Sequence, residues 1–288
     1  MKHAYLILAH HEFELLSLLV QSLDDERNDI FIHFDRKVEK LPVIQTNQAG
    51  LFYIEDRKDV RWADVSMVEA EYALMSAARQ QGDYSYYHLL SGVDLPIKSQ
   101  DYIHDFCREN SGKEFVGYYQ GRIDWKLAGR AHLIHLFPKH FRERKGVVNI
   151  IRRAIRKSFL MLQRVVGYKR SRHVEFKKGT QWVSITQELV DLALSKKTEI
   201  LRLYRNSFCS DELFIQTLCW NSHFREHIYD VHDEGRGSMR YIGWVNGELI
   251  DFEQKDYERI MSSEALFARK FNSSDMNFIH EILEQVNL

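Results

Sequence analysis

The tripeptide Ser210-Asp211-Glu212 combines residue types that could move a proton. An apolar run with helical spacing follows it, so Ser210 is predicted to cap a helix whose first turn holds both acids. The helix dipole favours negative charge there, and a carboxylate held beside a pocket is suited to act as a general base. Many Ser-Asp-Glu sequences are helix caps and nothing more, so the surrounding elements must decide between these two roles.

Short apolar runs and amphipathic runs alternate along the first hundred residues. The predicted strands lie at residues 3–9, 29–34, 51–54 and 86–90, and the predicted helices lie at residues 13–23 and 65–80. This alternation is typical of an α/β fold with a mostly parallel sheet and helices on both faces. Ligands of such sheets bind outside the carboxyl ends of the strands. Because His10, Asp35 and Asp94 follow three of these strands, we expect them to face one crevice.

The second half of the chain continues this mixture. Its pattern predicts strands at residues 179–186 and 239–245 and helices at residues 187–194, 211–220 and 257–262. No internal repeat or low-complexity segment interrupts the pattern, and the chain has only three prolines, too few for a long Pro-rich linker. We therefore predict a single domain over residues 1–288.

The composition is that of an ordinary globular protein, with 44% hydrophobic and 28% charged residues among 288. The three cysteines are an odd number and lack the Cys-x-x-Cys spacing, which indicates a reduced, cytoplasmic protein. No apolar stretch approaches the roughly 18 residues that a membrane span needs. The sequence therefore predicts a protein without a membrane anchor.

Residues 139–178 differ from the rest of the chain in charge. They contain 14 Lys and Arg against two Glu, a net charge of +12 in a chain whose total is −1. Within them, residues 147–166 predict a basic amphipathic helix, inserted into the domain at about 139–178. The helix could pack on the domain, or it could bind an anionic membrane surface, where charge reversal at Arg152, Arg153 and Arg156 should weaken binding. No recognised nucleic-acid-binding motif accompanies the charge, so we predict no nucleic-acid partner.

Several well-known site motifs are absent from the sequence. It has no Gly-x-Gly-x-x-Gly, no phosphate-binding P-loop and no Gly-x-Ser-x-Gly, and its histidines show no metal-ligand spacing. It also lacks Asp-x-Asp, the carboxylate pair that holds a divalent metal on a nucleotide-sugar diphosphate. If the substrate is a nucleotide sugar, protein cations must stabilise its diphosphate, and Arg269-Lys270 is a candidate pair. We therefore predict no metal site.

Seven blocks of sequence, in order, resemble the core-2/I-branching β-1,6-N-acetylglucosaminyltransferase family, which also includes the peptide O-xylosyltransferases. They include Leu-Ser-Gly-Val-Asp-Leu-Pro-Ile-Lys, Gly-Thr-Gln-Trp, Ser-Asp-Glu and Phe-Ala-Arg-Lys-Phe; the full set lies at residues 4–11, 32–37, 66–70, 90–98, 179–182, 210–212 and 267–271. The resemblance implies a GT-A-type (Rossmann-like) fold and an inverting transfer from a UDP-sugar, with no cofactor. The absence of Asp-x-Asp agrees with a reaction that needs no metal.

The resemblance also suggests roles for the base and for the donor site. Glu212 matches the catalytic base of the family's Pro-Asp-Glu, although Ser210 stands where proline is usual. His10 and Asp35 match positions at strand ends beside the uridine part of the donor, and Asp94, at the third strand end, is a further candidate for donor binding.

The resemblance suggests contacts for the diphosphate and the acceptor as well. Lys270 matches a lysine that contacts the diphosphate. The family's second basic contact lies upstream of that lysine, and the candidates for it here are Arg240, Lys255 and Arg269. Trp244 falls near an aromatic residue that stacks on the acceptor sugar, and Trp182 is expected with it near the rim of the pocket.

The animal members of the family have a membrane anchor and disulfides, whereas this sequence resembles the bacterial members, whose acceptors would be cell-surface glycans. We expect a cytoplasmic enzyme that could bind peripherally at the inner face of the membrane. Its expected substrates are a UDP-sugar and a glycan, which could be lipid-linked. N-acetylglucosamine is the first choice of sugar. The alternatives are xylosyl transfer and a non-catalytic protein that binds nucleotide sugars.

Overall fold

The computed structural model describes residues 1–121, 125–143, 145–245 and 247–286, without the side chains of residues 125–128. Arg144, one of the 14 cations of the basic segment, lies outside the described residues. The strands are β1 (His3–Ala9), β2 (Asn28–Phe34), β3 (Gly50–Tyr53), β4 (Tyr86–Ser91), β5 (Asp94–Pro96), β6 (Ser184–Thr186), β7 (Arg240–Ile242), β8 (Trp244–Val245), β9 (Glu248–Leu249) and β10 (Phe267–Arg269).

Helices lie between most of the strands and after the last one. They are α1 (Phe13–Ser22), α2 (Ser66–Gln81), α3 (Gln100–Glu109), α4 (Trp125–His132), α5 (Val147–Val165), α6 (Gln187–Ser195), α7 (Lys197–Tyr204), α8 (Phe214–Trp220), α9 (Glu234–Ser238), α10 (Tyr257–Met261) and α11 (Met276–Val286). No helix within the described parts of the chain is both long and apolar enough to cross a membrane.

The central sheet has five strands in the order β3-β2-β1-β4-β6. The first four are parallel, and β6 is antiparallel to β4. A second sheet has the order β5-β10-β7, and β8 and β9 form a separate hairpin. The predicted α/β class, with a mostly parallel sheet flanked by helices, is confirmed.

Both faces of the central sheet are buried, which explains why its strands are almost continuously apolar. Along β1, Tyr5 and Ile7 pack into a core on one face, with α1 and α11, whereas Leu6 and Leu8 pack into a core on the other face, with α2, α6 and α8. This alternation follows from the two-residue period of a strand. The prediction of a single domain over residues 1–288 stays a prediction.

The structure corrects two of the predicted strands. Only residues 184–186 of the predicted strand 179–186 form a strand, because the backbone before them bonds to another part of the chain: Gly179 donates a hydrogen bond to the carbonyl of Glu212 (3.0 Å). The predicted strand 239–245 is divided into β7 and β8 at Gly243, whose N–H donates to the carbonyl of Arg269 (2.9 Å).

The predicted helix 211–220 is also corrected. Ser210–Glu212 form one turn of 3-10 helix, and the α-helix begins only at Phe214. Cys209, in the left-handed conformation (φ 52°, ψ 60°), precedes the turn, and the buried Ser210 hydroxyl has no hydrogen-bond partner. Ser210 is therefore not the helix cap that the sequence predicted.

Candidate active site

The carboxyl ends of the parallel strands are held together by backbone hydrogen bonds. The N–H of Asp35, after β2, donates to the carbonyl of Ala9 at the end of β1 (2.9 Å), and the N–H of Gly92, after β4, donates to that of Leu8 (2.9 Å). These bonds place His10, Asp35 and the turn before Asp94 at one edge of the sheet, as the order of the strands predicted.

His10 and Asp35 line a cavity of about 230 Å³, together with Lys37, Trp62 and Arg142. The Asp35 carboxylate accepts hydrogen bonds from the backbone N–H (2.9 Å) and the ammonium (2.7 Å) of Lys37. Burial, followed by the neighbouring His11, lowers the pKa of His10, so its imidazole is favoured in the neutral form. The neutral imidazole of His10 and the ring of Trp62 could contact a nucleobase, and the cations Lys37 and Arg142 could contact a phosphate.

Asp94 does not present a free carboxylate to this cavity. It is buried, with 1% of its side chain exposed, and it accepts hydrogen bonds from the Ser91 N–H (2.9 Å) and hydroxyl (2.5 Å). It also forms an ion pair with Nε of Arg269 (3.1 Å). The geometry indicates that Asp94 acts on a ligand only indirectly, by holding Arg269 in place.

Trp182 lies next, with the Arg269 guanidinium 4.1 Å from the centre of its ring. The sequence led us to expect Trp182 at the rim of a pocket. The tryptophan is only 6% exposed, so it lies inside the protein. Trp244, in contrast, is 61% exposed on the β8–β9 hairpin, two residues after the position that pairs with Arg269. Of the two tryptophans, Trp244 is the one whose ring is open to solvent.

The other candidate cations are placed very differently. Arg240 is buried and donates hydrogen bonds to the carbonyls of Ser238 and Val183 (both 2.9 Å), so it supports the fold beneath the site. Lys255 is 70% exposed and paired with Glu253. Lys270 forms an ion pair with Asp251 (3.1 Å) and must exchange that partner to reach a diphosphate. Of the three candidates for the second basic contact, Arg269 is thus the one that lies beside Trp182.

Glu212 lies against two cations that its sequence surroundings did not indicate. Its Oε2 atom is 2.8 Å from Nη1 of Arg130 and 3.3 Å from Nζ of Lys178, and 32% of its side chain is exposed. Arg130 comes from α4 and Lys178 from the loop before β6. The carboxylate of Glu212 is thus held by two cations from separate segments of the chain.

The loop from residue 178 to residue 182 connects the two halves of the site. Its first residue, Lys178, contacts Glu212, and its last, Trp182, stacks with Arg269. Between them Gly179 lies so close to Gly117 that an added Cβ would be 1.8 Å from the Gly117 carbonyl oxygen. Only glycine fits at residue 179, which explains why this segment begins with Gly-Thr-Gln-Trp.

Two more carboxyl groups lie behind Glu212. Burial and the neighbouring Glu212 raise the pKa of Asp211 to about 7, and burial followed by Asp211 raises the pKa of Glu71 well above its usual range. Glu71 accepts a hydrogen bond from the Gln181 amide (2.7 Å), but its second oxygen and Oδ1 of Asp211 have no hydrogen-bond partner. Burial therefore favours the protonated, uncharged form of Glu71 in the folded protein.

The buried Glu71 should make the stability of the protein depend on pH. An acid whose pKa is raised in the folded state loses its proton first in the unfolded state, so stability falls as pH rises above about 4.3. We expect Glu71→Gln, which keeps the hydrogen bond to Gln181, to match wild type at pH 4 and to exceed it at pH 8. Urea unfolding at both pH values measures this difference. Equal stability at pH 8 would contradict it, and Glu69→Gln, at a half-buried position in the same helix, is the matched control.

Among the described residues, His3, His88 and Cys107 are one group that could hold a metal, with ligand atoms within 4.8 Å of one another. All three are fully buried in the core, and His88 Nε2 and His3 Nδ1 are hydrogen-bonded at 3.1 Å. Burial lowers the pKa of both histidines, which favours a neutral pair. His3 begins β1, at the opposite end from the candidate active site.

A larger cleft, of about 830 Å³, is lined by Arg36, the residue between Asp35 and Lys37, but by none of the residues to which the sequence analysis gave a role in the site. Its lining includes Arg57, Lys139 and Arg205.

Sequence reasoning missed Arg130, Lys178 and Glu71. Lys178 directly precedes the Gly-Thr-Gln-Trp block, which could have identified it, but no sequence signal points to Arg130.

Comparison with known proteins identifies a family. Residues 3–268 match the profile of a family described as Branch: Core-2/I-Branching enzyme. The chain belongs to this family. It is 25% identical over 298 aligned positions to a beta-glucuronosyltransferase of Arabidopsis thaliana, covering 94% of this chain and 63% of that protein. It is 21% identical over 277 positions to a xylosyltransferase of Drosophila pseudoobscura pseudoobscura, covering 88% and 29%, respectively.

The Core-2/I-branching chain described here thus spans less than two thirds of the length of these two relatives. Among solved structures, the apo form of mouse xyloside xylosyltransferase 1 matches with a TM-score of 0.36 and 10% identity, covering 93% of this chain and 96% of that one. The recognition made from the seven sequence blocks is confirmed by the family match.

Proposed function

We propose that this chain is a glycosyltransferase that moves a sugar from a UDP-sugar to a hydroxyl group of a glycan, with inversion and without a metal. The observation that carries the proposal is the loop 178–182, which contacts Glu212 through Lys178 and Arg269 through Trp182. The loop thereby links the proposed base to the proposed diphosphate-binding cation, and family membership supports the same reaction class.

In the proposed reaction, the acceptor hydroxyl attacks C1 of the donor sugar from the face opposite UDP. The new bond joins the acceptor oxygen to C1, the bond between C1 and the phosphate oxygen breaks, and UDP leaves with the electron pair. Glu212 takes the proton of the hydroxyl group. Arg269 and Lys270 stabilise the negative charge that develops on the diphosphate, which is the work that a divalent metal would otherwise do.

The nucleotide is proposed to bind in the cavity of His10 and Asp35 and the acceptor to stack on Trp244. N-acetylglucosamine remains our first choice of sugar, although the names of the two relatives favour the xylose alternative and add glucuronic acid as a candidate. The three free cysteines are all buried, which supports a role in the reducing cytoplasm, in the synthesis of a surface glycan.

A donor screen tests the proposed function. The protein is incubated with UDP-N-acetylglucosamine, UDP-xylose and UDP-glucuronic acid, and released UDP is measured with and without a glycan acceptor. We expect one donor to be hydrolysed slowly and consumed faster with an acceptor, at a rate unchanged by EDTA. UDP binding without turnover of any of these donors would instead support the non-catalytic alternative. A strict requirement for Mn²⁺ or Mg²⁺ would contradict the roles of Arg269 and Lys270.

A further inference from the structure

Helix α5 presents its apolar side to solvent and its polar side to the protein. Eight large apolar side chains of the helix are between 45% and 75% exposed: Val147, Val148, Ile150, Ile151, Ile155, Met161, Leu162 and Val165. They form one continuous stripe, because they recur at the spacing of a helix face. A contiguous apolar stripe of this length on a protein surface marks an interaction site.

The opposite side of α5 is held to the body of the protein by polar contacts. Gln163 accepts a hydrogen bond from the Ile134 N–H and donates one to the Ile134 carbonyl (both 2.9 Å). Arg156 donates to the Leu136 carbonyl (3.0 Å), and its guanidinium lies 4.4 Å from the centre of the Phe141 ring. The apolar stripe therefore points outward because the polar side chains specify the packed side.

The charge around the stripe identifies its partner. Helix α5 contains no acidic residue, and the exposed Arg153 and Lys157 lie along one flank of the stripe. Exposed cations also lie beyond both ends of the helix, at Lys145 and at Lys169 and Arg172. An apolar face bordered by cations fits the boundary between the acyl chains and the anionic headgroups of a bilayer. A second copy of this chain would bring the same cations together.

We propose that α5 docks this protein onto an anionic membrane, with the apolar stripe inserted at the headgroup boundary. The docked helix would lie close to the candidate active site. Its Arg156 packs on Phe141, whose ring lies 4.8 Å from that of Phe208, and Phe208 also stacks with Arg130, the partner of Glu212. An acceptor anchored in the same membrane could reach Glu212 without leaving the surface.

The structure also changes the variant that should be tested. Arg152 and Arg156 face the protein, since Nη1 of Arg152 lies 3.7 Å from Oε2 of Glu143 and Arg156 contacts Leu136 and Phe141. Reversing their charge would detach the helix from the protein as well as from a membrane. Arg153 and Lys157 are exposed, so Arg153→Glu/Lys157→Glu reverses charge only on side chains that are free to face a membrane.

The experiment is co-sedimentation with vesicles of phosphatidylcholine, with and without phosphatidylglycerol. We expect binding of wild type to rise with anionic lipid and fall with salt. Arg153→Glu/Lys157→Glu should weaken binding about tenfold or more, since each cation near such a surface contributes about fivefold. Ile151→Ser/Leu162→Ser should weaken it to a similar extent. The controls are Lys113→Glu/Lys196→Glu and the exposed Val43→Ser, away from α5, which should bind as wild type does.

Circular dichroism should show the same fold for all these variants, because the changed side chains are exposed. Negligible binding of wild type to both kinds of vesicle would overturn the proposal. The proposal would also be overturned if wild type formed a dimer in sedimentation velocity and Ile151→Ser/Leu162→Ser abolished it, because the partner of the stripe would then be a second copy of this chain. Neither result depends on the proposed transferase activity, so the two proposals can fail separately.

Discussion

Glu212→Gln is expected to lower the rate of sugar transfer by about 10²–10⁴-fold while leaving UDP binding almost unchanged. Glutamine keeps the shape of the side chain and can still accept a hydrogen bond from Arg130 or Lys178, but it cannot take a proton from the acceptor. The effect should appear in kcat. The measurements are the initial rate of UDP release with an acceptor and the Kd of UDP by calorimetry.

The matched control for this substitution is Glu226→Gln, which makes the same chemical change at an exposed site on the surface. It should keep the wild-type rate. If Glu212→Gln retained more than about a tenth of that rate, the catalytic contribution would fall well below that of a general base, and Glu212 would be a structural partner of Arg130 and Lys178.

Asp94→Ala should produce the largest loss of stability among substitutions at the site, about 3–5 kcal/mol. It removes the carboxylate that pairs with Arg269, whose side chain is 12% exposed, and leaves that guanidinium as a nearly buried, unpaired charge. It also removes the acceptor of the Ser91 N–H and hydroxyl hydrogen bonds. Urea unfolding measures the loss as a lower midpoint at an unchanged slope.

Asp101→Ala is the control for Asp94→Ala. Asp101 also pairs with an arginine, Arg27, but 83% of its side chain is exposed, so its removal should cost less than about 1 kcal/mol. The double variant Asp94→Leu/Arg269→Met removes both buried charges and should recover part of the stability without recovering activity. A loss for Asp94→Ala no larger than that for Asp101→Ala would mean that water already solvates the Asp94–Arg269 pair.

Much of the fold and part of the site could be predicted from local sequence patterns. The apolar runs of β1, β2 and β4 predicted buried parallel strands because both faces of the sheet are covered, and their order predicted that His10, Asp35 and the turn before Asp94 meet at one edge. The seven sequence blocks identified the family because each keeps its residues within a few positions of one another. The roles assigned to the site residues stay predictions.

The contacts between distant parts of the chain were decided only by the tertiary structure. Arg130 reaches Glu212 across 82 positions, and a segment alone carries no signal for a partner so far away. Whether a side chain is buried also depends on what packs over it, which is why Asp94 and Trp182 lie inside while Trp244 lies outside. The sequence pattern of α5 predicted a polar and an apolar face, but not which of them faces the protein. The polar contacts of Arg156 and Gln163 with residues 134–141 decide this, and they turn the apolar face to solvent.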